Sequence, residues 1–291
     1  MEIELYIKQA IMQPEELPFT REYQDKIVVV KYGGSAMTDE NIKKNVVEDL
    51  SLLKKAGLKP IVVHGGGKEI NKWLSRLGIE NKFINGLRVT DEPTLEIVEM
   101  ALLKLNKELV QLMESFGVKA AGISGKDAGT IKVSKRYSPE ADLGYVGKIN
   151  HVDASLIMTL LESGITPIIC PIGLDENYQG YNINADEAAC AVAKGVKAKK
   201  LVFLTDIEGV CKDPKDSSTV IPELTVHEAK QFLSSGSAGG GMLPKLMNCI
   251  DAVENGVSRV HIIDGRVQHS LLEEFLNKTM GTMILAKEIV K

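Results

Sequence analysis

Thiol chemistry is nearly absent from this sequence. Its four cysteines, Cys170, Cys190, Cys211 and Cys249, lie twenty or more residues apart, no CxxC occurs, and none of the five histidines sits at ligand spacing from a cysteine. Neither a zinc site nor a disulfide framework is expected, and scattered thiols of this kind serve as small buried hydrophobes in a reducing compartment. Long apolar runs are missing as well, and none approaches the roughly 20 residues that a membrane span requires. The opening Met-Glu-Ile-Glu lacks a basic segment followed by an apolar core, so the expected compartment is the cytoplasm. Nor is there an excess of positive charge. Lys+Arg 35 against Asp+Glu 39 leaves a net −4, which argues against a general nucleic-acid or membrane-surface binder while leaving room for a local basic pocket. The common nucleotide fingerprints are also absent. Gly65-Gly66-Gly67-Lys68-Glu69-Ile70 lacks the third glycine of GxGxxG, GxxxxGK[ST] occurs nowhere, and protein-kinase signatures are not found, which sets aside an evident Rossmann dehydrogenase or P-loop NTPase.

What is present is the balance of an ordinary soluble protein, with 44% hydrophobic and 25% charged residues over 291 positions, enough for one large α/β domain or two packed lobes. Ile3, Ile7, Ala10 and Ile11 fall at helical spacing before Pro14 and Pro18 intervene. So short an amphipathic helix must dock on the body of the chain or on a neighbouring subunit. From Ile27 strands and helices alternate. Ile27–Lys31 and Ile61–His64 read as buried strands, with a helix between them from Glu40 to Ala56, capped by Thr38 or Asp39 and stopped by Gly57. A long helix is expected from Pro93 to Phe116, with Leu102, Leu105, Leu109, Leu112 and Phe116 on one face. Residues 120–150 read as a β-hairpin region. The alternation resumes with a helix over 153–163, a strand over 166–172, a helix over 184–194 and a strand over 200–205. Helices over 226–233 and 244–255, a strand over 260–263, a helix over 271–276 and a strand over 282–285 follow. Short loops between alternating elements imply a parallel sheet with right-handed crossovers. The chain reads as one α/β domain whose N-terminal and C-terminal lobes meet near residue 195.

Glycine-rich turns after buried strands are the main chemical clue, because they turn several backbone N–H groups toward one point and the following helix adds its positive end. Three occur: Lys31-Tyr32-Gly33-Gly34-Ser35, His64-Gly65-Gly66-Gly67 and Gly239-Gly240-Gly241. Two follow successive strands at the carboxyl edge of a parallel sheet, where ligands bind. Lys31 ends an otherwise apolar strand, an expensive place for an ammonium unless it meets an anion or snorkels to water. Lys245 follows the flexible run from Ser234 to Gly241. Arg88 is of the type that grips carboxylates at two points, yet alone it is equally an ordinary surface arginine. Asn182-Ile183-Asn184-Ala185-Asp186 packs amides and a carboxylate before an apolar helix, and helix capping by Asn184 explains only part of that. Leu204 to Val210 is either a nucleotide edge or merely a turn.

In order along the chain, VVVKYGGSAM (28–37), VVHGGGKEI (62–70), NGLRVTD (85–91), SGKDAGTI (124–131), DLGYVG (142–147), YNINADEAA (181–189), LTDIEGV (204–210), GGGMLPKL (239–246) and HIIDGR (261–266) resemble the amino acid kinase family, and within it the members that phosphorylate N-acetyl-L-glutamate. The resemblance covers nearly the whole chain. It implies a three-layer αβα sandwich around a central, mostly parallel sheet, with ATP and Mg²⁺ as cofactors, the metal carried by the nucleotide rather than by a protein site. Lys31 and Lys245 would neutralise the phosphoryl group in transfer, with Asp186 holding both lysines and the backbone of Gly34 and Gly66 holding its oxygens. Gly66, Gly67, Arg88 and Asn182 would grip the acetylated amino acid. Asp206, Ile207, Glu208, Gly209, Val210 and Cys211, with Ser237, Ala238 and Gly239, would line the ATP site. The acceptor is a carboxylate already ionised at neutral pH, so no general base is needed.

Residues 265–282 (GRVQHSLLEEFLNKTMGT) further resemble the arginine-inhibited members. That implies L-arginine as inhibitor at Glu274 and Gly281, and a homohexamer (a trimer of dimers) tied together by an N-terminal oligomerisation helix over residues 1–24. Residues 25–195 would then carry acetylglutamate binding and phosphoryl transfer, and residues 196–291 ATP binding and arginine sensing. Kinases of the same family acting on carbamate, aspartate, glutamate or a nucleoside monophosphate, a non-catalytic arginine sensor, and a nicotinamide oxidoreductase remain as rivals.

Overall fold

Two apolar runs about 170 residues apart in the chain lie side by side in the middle of one sheet. The computed structural model describes residues 20–37, 39–213, 216–236, 241–277 and 280–286. Strand β1 (Ile27–Tyr32) pairs in parallel with β2 (Lys59–His64) on one edge and with the distant β11 (Lys200–Thr205) on the other. Between β2 and β11 the chain forms β3 (Phe83–Ile84), β4 (Leu87–Arg88), β5 (Ala120–Ser124), β6 (Ile131–Lys135), β7 (Gly147–Val152), β8 (Thr166–Cys170), β9 (Ile172–Leu174) and β10 (Gly180–Asn182). After β11 come β12 (Glu223–Thr225), β13 (Arg259–Asp264) and β14 (Thr282–Leu285). Among the described residues the main sheet has the order β12-β14-β13-β11-β1-β2-β8-β5, parallel except where β14 runs against β13.

Helices cover both faces. On one side lie α1 (Glu40–Lys55), α3 (Glu92–Ser115) and α8 (Ser270–Asn277), whose Val46, Leu50, Leu109 and Phe275 pack with Val28, Val30 and Tyr32 of β1. On the other lie α4 (Ser155–Glu162), α5 (Ala185–Gly195), α6 (Val226–Ser234) and α7 (Met242–Glu254), whose Ile157, Ala189, Ala229 and Leu246 pack with Val29. Each fully buried Val, Leu or Phe contributes about 1.5–3 kcal/mol. Helix α2 (Gly67–Arg76) sits at the sheet's end against α3, through Ile70, Leu74, Ile97 and Val98. This is the expected αβα sandwich. Because successive strand residues face opposite sides, Lys31 leaves the sheet with Val29, toward α5 and α7.

The helix boundaries follow local chemistry. Of the two expected caps for α1, Asp39 is the one in place, accepting from Asn41 N at 2.8 Å and Ile42 N at 3.1 Å. Asn184 caps α5 through Asp186 N at 2.9 Å and Glu187 N at 3.2 Å. Residues 120–150 depart from the expected hairpin region. Ala120–Ser124 instead joins the main sheet as an edge strand parallel to β8, because its small residues let it pack closely against α3. The hairpin is confined to β6 and β7, which pair antiparallel in a second sheet of order β10-β9-β6-β7. The strand expected over 166–172 breaks at Pro171, which has no N–H to donate. Its second half, β9, passes into the smaller sheet. The short β12 and the β3–β4 pair carried no readable periodicity.

Candidate active site

The carboxyl ends of β1, β2 and β11 point the same way, so Gly33-Gly34, Gly65-Gly66-Gly67 and the turn beginning at Asp206 lie at one edge of the sheet. Gly34 and the Asp206 turn line a cavity of about 830 Å³ whose wall also includes Lys31, Arg136, Asp186 and Lys245. The Gly65-Gly66-Gly67 turn lines a second one, of about 260 Å³, that shares Lys31, Gly34 and Asp186 with it and also includes Arg88 and Asn182.

Three charges from three elements meet at the floor of the larger cavity. Lys31 Nζ lies 2.9 Å from Asp186 Oδ1, and Lys245 Nζ lies 2.5 Å from Asp186 Oδ2. Both lysines are only 9% exposed. The alternation in β1 places Lys31, the first turn of α5 places Asp186, and the first turn of α7 places Lys245, whose ammonium also lies over the Phe203 ring at 5.0 Å. Burial pushes the Asp186 carboxyl up, but Lys31 and Lys245 outweigh it and hold that group well below the usual carboxylate range. One carboxylate against two ammonium groups leaves a net positive floor, suited to an incoming anion.

The glycines differ in what they provide. Gly34 has φ +73°, in the left-handed region that favours glycine, and faces Asp206. Gly66 is extended, and a Cβ there would lie 2.6 Å from Leu102 Cδ2 and 2.9 Å from Leu105 Cδ1. A Cβ on Gly67 would meet nothing within 4 Å, so the chain's own packing does not demand glycine there and the space in front of it is open. A Cβ on Gly33 would lie 2.6 Å from Lys31 Nζ, which would push the ammonium off Asp186.

Arg88 is not a surface arginine. It is 7% exposed, stacked over the Phe83 ring at 4.6 Å. Its Nη2 donates to Asn71 Oδ1 at 2.7 Å and its Nη1 to Asn81 Oδ1. Burial pushes its pKa down to about 10, so it stays charged at neutral pH. Among the described residues its hydrogen-bond partners are neutral, which leaves a cation at the cavity wall ready for an anion. Asn182 donates through Nδ2 to Thr90 Oγ1 at 3.1 Å, which fixes its amide beside the same cavity.

Of the residues expected along the nucleotide edge, Asp206, Ile207, Gly209 and Cys211 line the large cavity. Glu208 is exposed outside that lining, and Val210 is fully buried with its N–H donated to Thr282 Oγ1 at 2.8 Å. Ser237, Ala238 and Gly239 lie outside the described residues, as do residues 1–19 of the N-terminal segment. The following turn, Thr20–Tyr23, is helical. Among the described residues no group of three His, Cys, Asp or Glu could hold a metal ion, and no helix is long and apolar enough to cross a membrane.

Glu274 is neither solvated nor open. It is 0% exposed, ion-paired through Oε1 with Lys200, and its Oε2 lies 2.6 Å from His261 Nδ1. Burial pushes this carboxyl up, and His261 and Lys200 together more than reverse that. Lys200 also faces the Phe275 ring at 4.8 Å and the Tyr23 ring at 5.6 Å. Gly281 has φ +69°, and a Cβ there would lie 2.0 Å from Ile262 O, so backbone packing alone requires glycine. Sequence reasoning passed over Lys200, although the signal was the one used for Lys31, a lysine inside an apolar strand. It also passed over Arg136, whose Nη2 pairs with Glu187 beside Asp186. Nothing in the local pattern at residue 136 announced that.

A family model described as the amino acid kinase family matches residues 26–264. A curated protein named acetylglutamate kinase from Thermoanaerobacter pseudethanolicus is 53% identical over 272 residues, which cover 93% of this chain and 91% of that protein. One of the same name from Campylobacter jejuni is 46% identical over 280 residues, 96% of this chain and 99% of that protein. Among solved structures, an N-acetylglutamate synthase from Neisseria gonorrhoeae complexed with coenzyme A and N-acetyl-glutamate matches with a TM-score of 0.83 at 23% identity. The match covers 97% of this chain, which spans 64% of the length of that protein. A Giardia carbamate kinase matches with a TM-score of 0.67 at 16% identity over 90% of this chain and 99% of its own. At those identities the two structures show a shared fold.

Proposed function

The chain belongs to the amino acid kinase family, and from that premise we propose that it transfers the γ-phosphoryl group of MgATP to the side-chain carboxylate of N-acetyl-L-glutamate, giving N-acetyl-L-glutamyl 5-phosphate in arginine biosynthesis. It is a phosphotransferase of the acetylglutamate kinase group. The observation that carries the reading is the Lys31–Asp186–Lys245 cluster set between two glycine turns.

Phosphoryl transfer asks a protein mainly for alignment and charge stabilisation. Lys31 and Lys245 meet different oxygens of Asp186 at the cavity wall, so an in-flight phosphoryl group between nucleotide and acceptor has two ammonium groups to balance its charge. The N–H groups of Gly34 and Gly66 take its equatorial oxygens. Asp186 is a positioning residue that keeps two like charges together before substrate arrives. Arg88 and Asn182, with the open space before Gly67, take the acetylated amino acid. Asp206, Ile207, Gly209 and Cys211 take the nucleotide, with Ser237, Ala238 and Gly239 contributing from the neighbouring segment. Glu208 and Val210 belong to the same turn, Val210 as a buried residue whose backbone bonds to Thr282 and Ile221 hold that turn in shape. Mg²⁺ arrives as part of the substrate MgATP. Residues 25–195 then act as the acceptor-binding and transfer lobe and residues 196–291 as the nucleotide and effector lobe, and the enzyme works in the cytoplasm. Incubation with N-acetyl-L-glutamate, MgATP and hydroxylamine, compared with carbamate, aspartate and glutamate, tests the assignment. Hydroxamate formed only from a rival acceptor refutes it.

L-Arginine inhibition and a hexameric trimer of dimers built through residues 1–24 belong to the same reading. Glu274 supports it as a buried carboxylate that already prefers cations, with Gly281 in the loop before β14. Lys200 now occupies it, so a guanidinium binds there only by displacing that ammonium. Titrating L-arginine at subsaturating N-acetyl-L-glutamate should lower the rate, and an unchanged rate refutes the regulation alone.

A further inference from the structure

His64 ends β2 immediately before the Gly65-Gly66-Gly67 turn and is 0% exposed. Its Nδ1 lies 2.8 Å from the carbonyl oxygen of Gly65, and its Nε2 lies 3.1 Å from Asn106 Nδ2 of α3. A carbonyl can only accept, so Nδ1 carries the proton. In a neutral imidazole Nε2 is then a lone pair, and Asn106 must donate to it. The same Asn106 amide donates to Ile168 O at 2.9 Å, which settles which way the amide faces and ties it to the neighbouring strand β8. Burial depresses the His64 pKa to about 4, so the ring is neutral through the neutral range and its two hydrogen bonds select this tautomer. Asn106 in turn has its seat because residue 122 is glycine, where a Cβ would lie 1.8 Å from Asn106 Oδ1.

The peptide after Gly65 is planar and trans, so its C=O and the N–H of Gly66 point in opposite directions along one rigid unit. The other side of Gly65 is held too, its N–H donating to Tyr32 O of β1 at 2.8 Å. A group that draws the Gly65 carbonyl down toward the sheet therefore turns the Gly66 N–H up into the cavity that Lys31 and Asp186 line. We infer that the Asn106–His64–Gly65 relay is the device that aims the Gly66 N–H at the transferring phosphoryl group, making His64 and Asn106 positioning residues of the reaction.

The inference rests on the kinase reading, so wild-type turnover with N-acetyl-L-glutamate and MgATP is measured first. No turnover there fails that reading and overturns the inference with it. With turnover in hand, His64→Asn, His64→Gln and His64→Leu separate the parts. An asparagine amide can stand in for Nδ1–H and donate to Gly65 O. Glutamine reaches toward Asn106 instead, and leucine does neither. Loss of a whole oxyanion donor costs about 10²–10³ in kcat, and misaiming one should cost less. We expect kcat of His64→Leu and His64→Gln to fall by roughly 30-fold, with KM for either substrate changed less than about threefold, and His64→Asn to recover most of the loss. Equal kcat in the asparagine and leucine variants overturns the inference, as does a loss carried wholly in KM. Wild-type ¹⁵N imidazole shifts give a test without any variant: a protonated Nδ1 and an unprotonated Nε2 for His64 are expected at pH 7, and the opposite tautomer overturns the relay.

Discussion

Replacing Asp186 by asparagine keeps the shape of the side chain and removes only its charge. Two ammonium groups then share one buried corner with a neutral amide. At an effective dielectric of about 20, contacts of 2.9 and 2.5 Å correspond to roughly 12 kcal/mol of gross attraction, most of which offsets the desolvation of three ions. Removing one partner from a buried ionic cluster costs about 3–5 kcal/mol net, because the remaining charge is uncompensated. For a chain of this size that is a fall in Tm on the order of 10 °C. MgATP should restore more of the loss in the variant than it adds to the wild type, since its phosphates supply the missing negative charge. Turnover should fall by about 10²-fold or more, because neither lysine keeps its place. The pH dependence has a definite sign. Asp186 has a folded pKa below its unfolded value of about 4, so its contribution is present above pH 4 and disappears as pH falls below that value. The variant should therefore show a shallower acid limb. Thermal melts with and without MgATP, from pH 3 to 8, read all of this. An Asp186→Asn protein that melts within about 2 °C of wild type and turns over within about threefold of it would refute the shared-carboxylate reasoning.

Lys31→Ala and Lys245→Ala should each lower kcat by about 10²–10³ with smaller changes in KM, and a near-normal kcat in either removes that lysine from the mechanism. Arg88→Lys keeps a charge but loses the planar fork, so KM for N-acetyl-L-glutamate should rise while KM for ATP stays put, and a selective effect on ATP would reassign Arg88. His269 lies 2.6 Å from the buried Asp49, whose partnership raises its pKa, while burial pushes the Asp49 carboxyl up to about 6. The charged pair therefore contributes most at about pH 6 to 6.5, weakens as Asp49 takes a proton below about pH 6, and is lost as pH rises through the folded His269 value. His269→Asn, which suits the φ of +55° at that position, should thus lower Tm more at pH 6 than at pH 9, and equal losses would contradict the pairing. Under the proposed regulation, L-arginine should slow the wild type but not Glu274→Gln, whose turnover is expected to be preserved. Alanine is the poorer probe there, since it would leave Lys200 buried beside an emptied site.

Much of this was legible because β1, β2 and β11 are largely apolar runs, the first two followed at once by glycine and the third by a polar turn, and because Lys31 stood out against such a run. The capping residues of α1 and α5 were equally readable, being local hydrogen-bond chemistry. Ala120–Ser124 was not, since a strand of small residues shows neither period nor β-branching and is defined only by its fit between α3 and β8. Nor was the state of Arg88 or Glu274. Whether a charged residue is buried depends on what arrives from elsewhere, Asn71 and Phe83 for the one, Lys200 and His261 for the other. The role assigned to His64 depends on a side chain 42 residues away.

Strand β1 is zipped on one edge to a segment about thirty residues later and on the other to one about 170 residues later. A ribosome delivers these partners at different times. While the chain is being made, β2 can close on β1 early, but the opposite edge has no mate until residues 200–205 emerge, and Lys31 has no counter-charge until residue 186 does. For most of synthesis the nascent protein carries an open strand edge, the kind of surface that recruits another chain. Closing so distant a pair is also slow. The same strand that organises the finished catalyst is thus the point at which its production is most exposed, and synonymous or chaperone effects on yield should act through the interval between these two pairings.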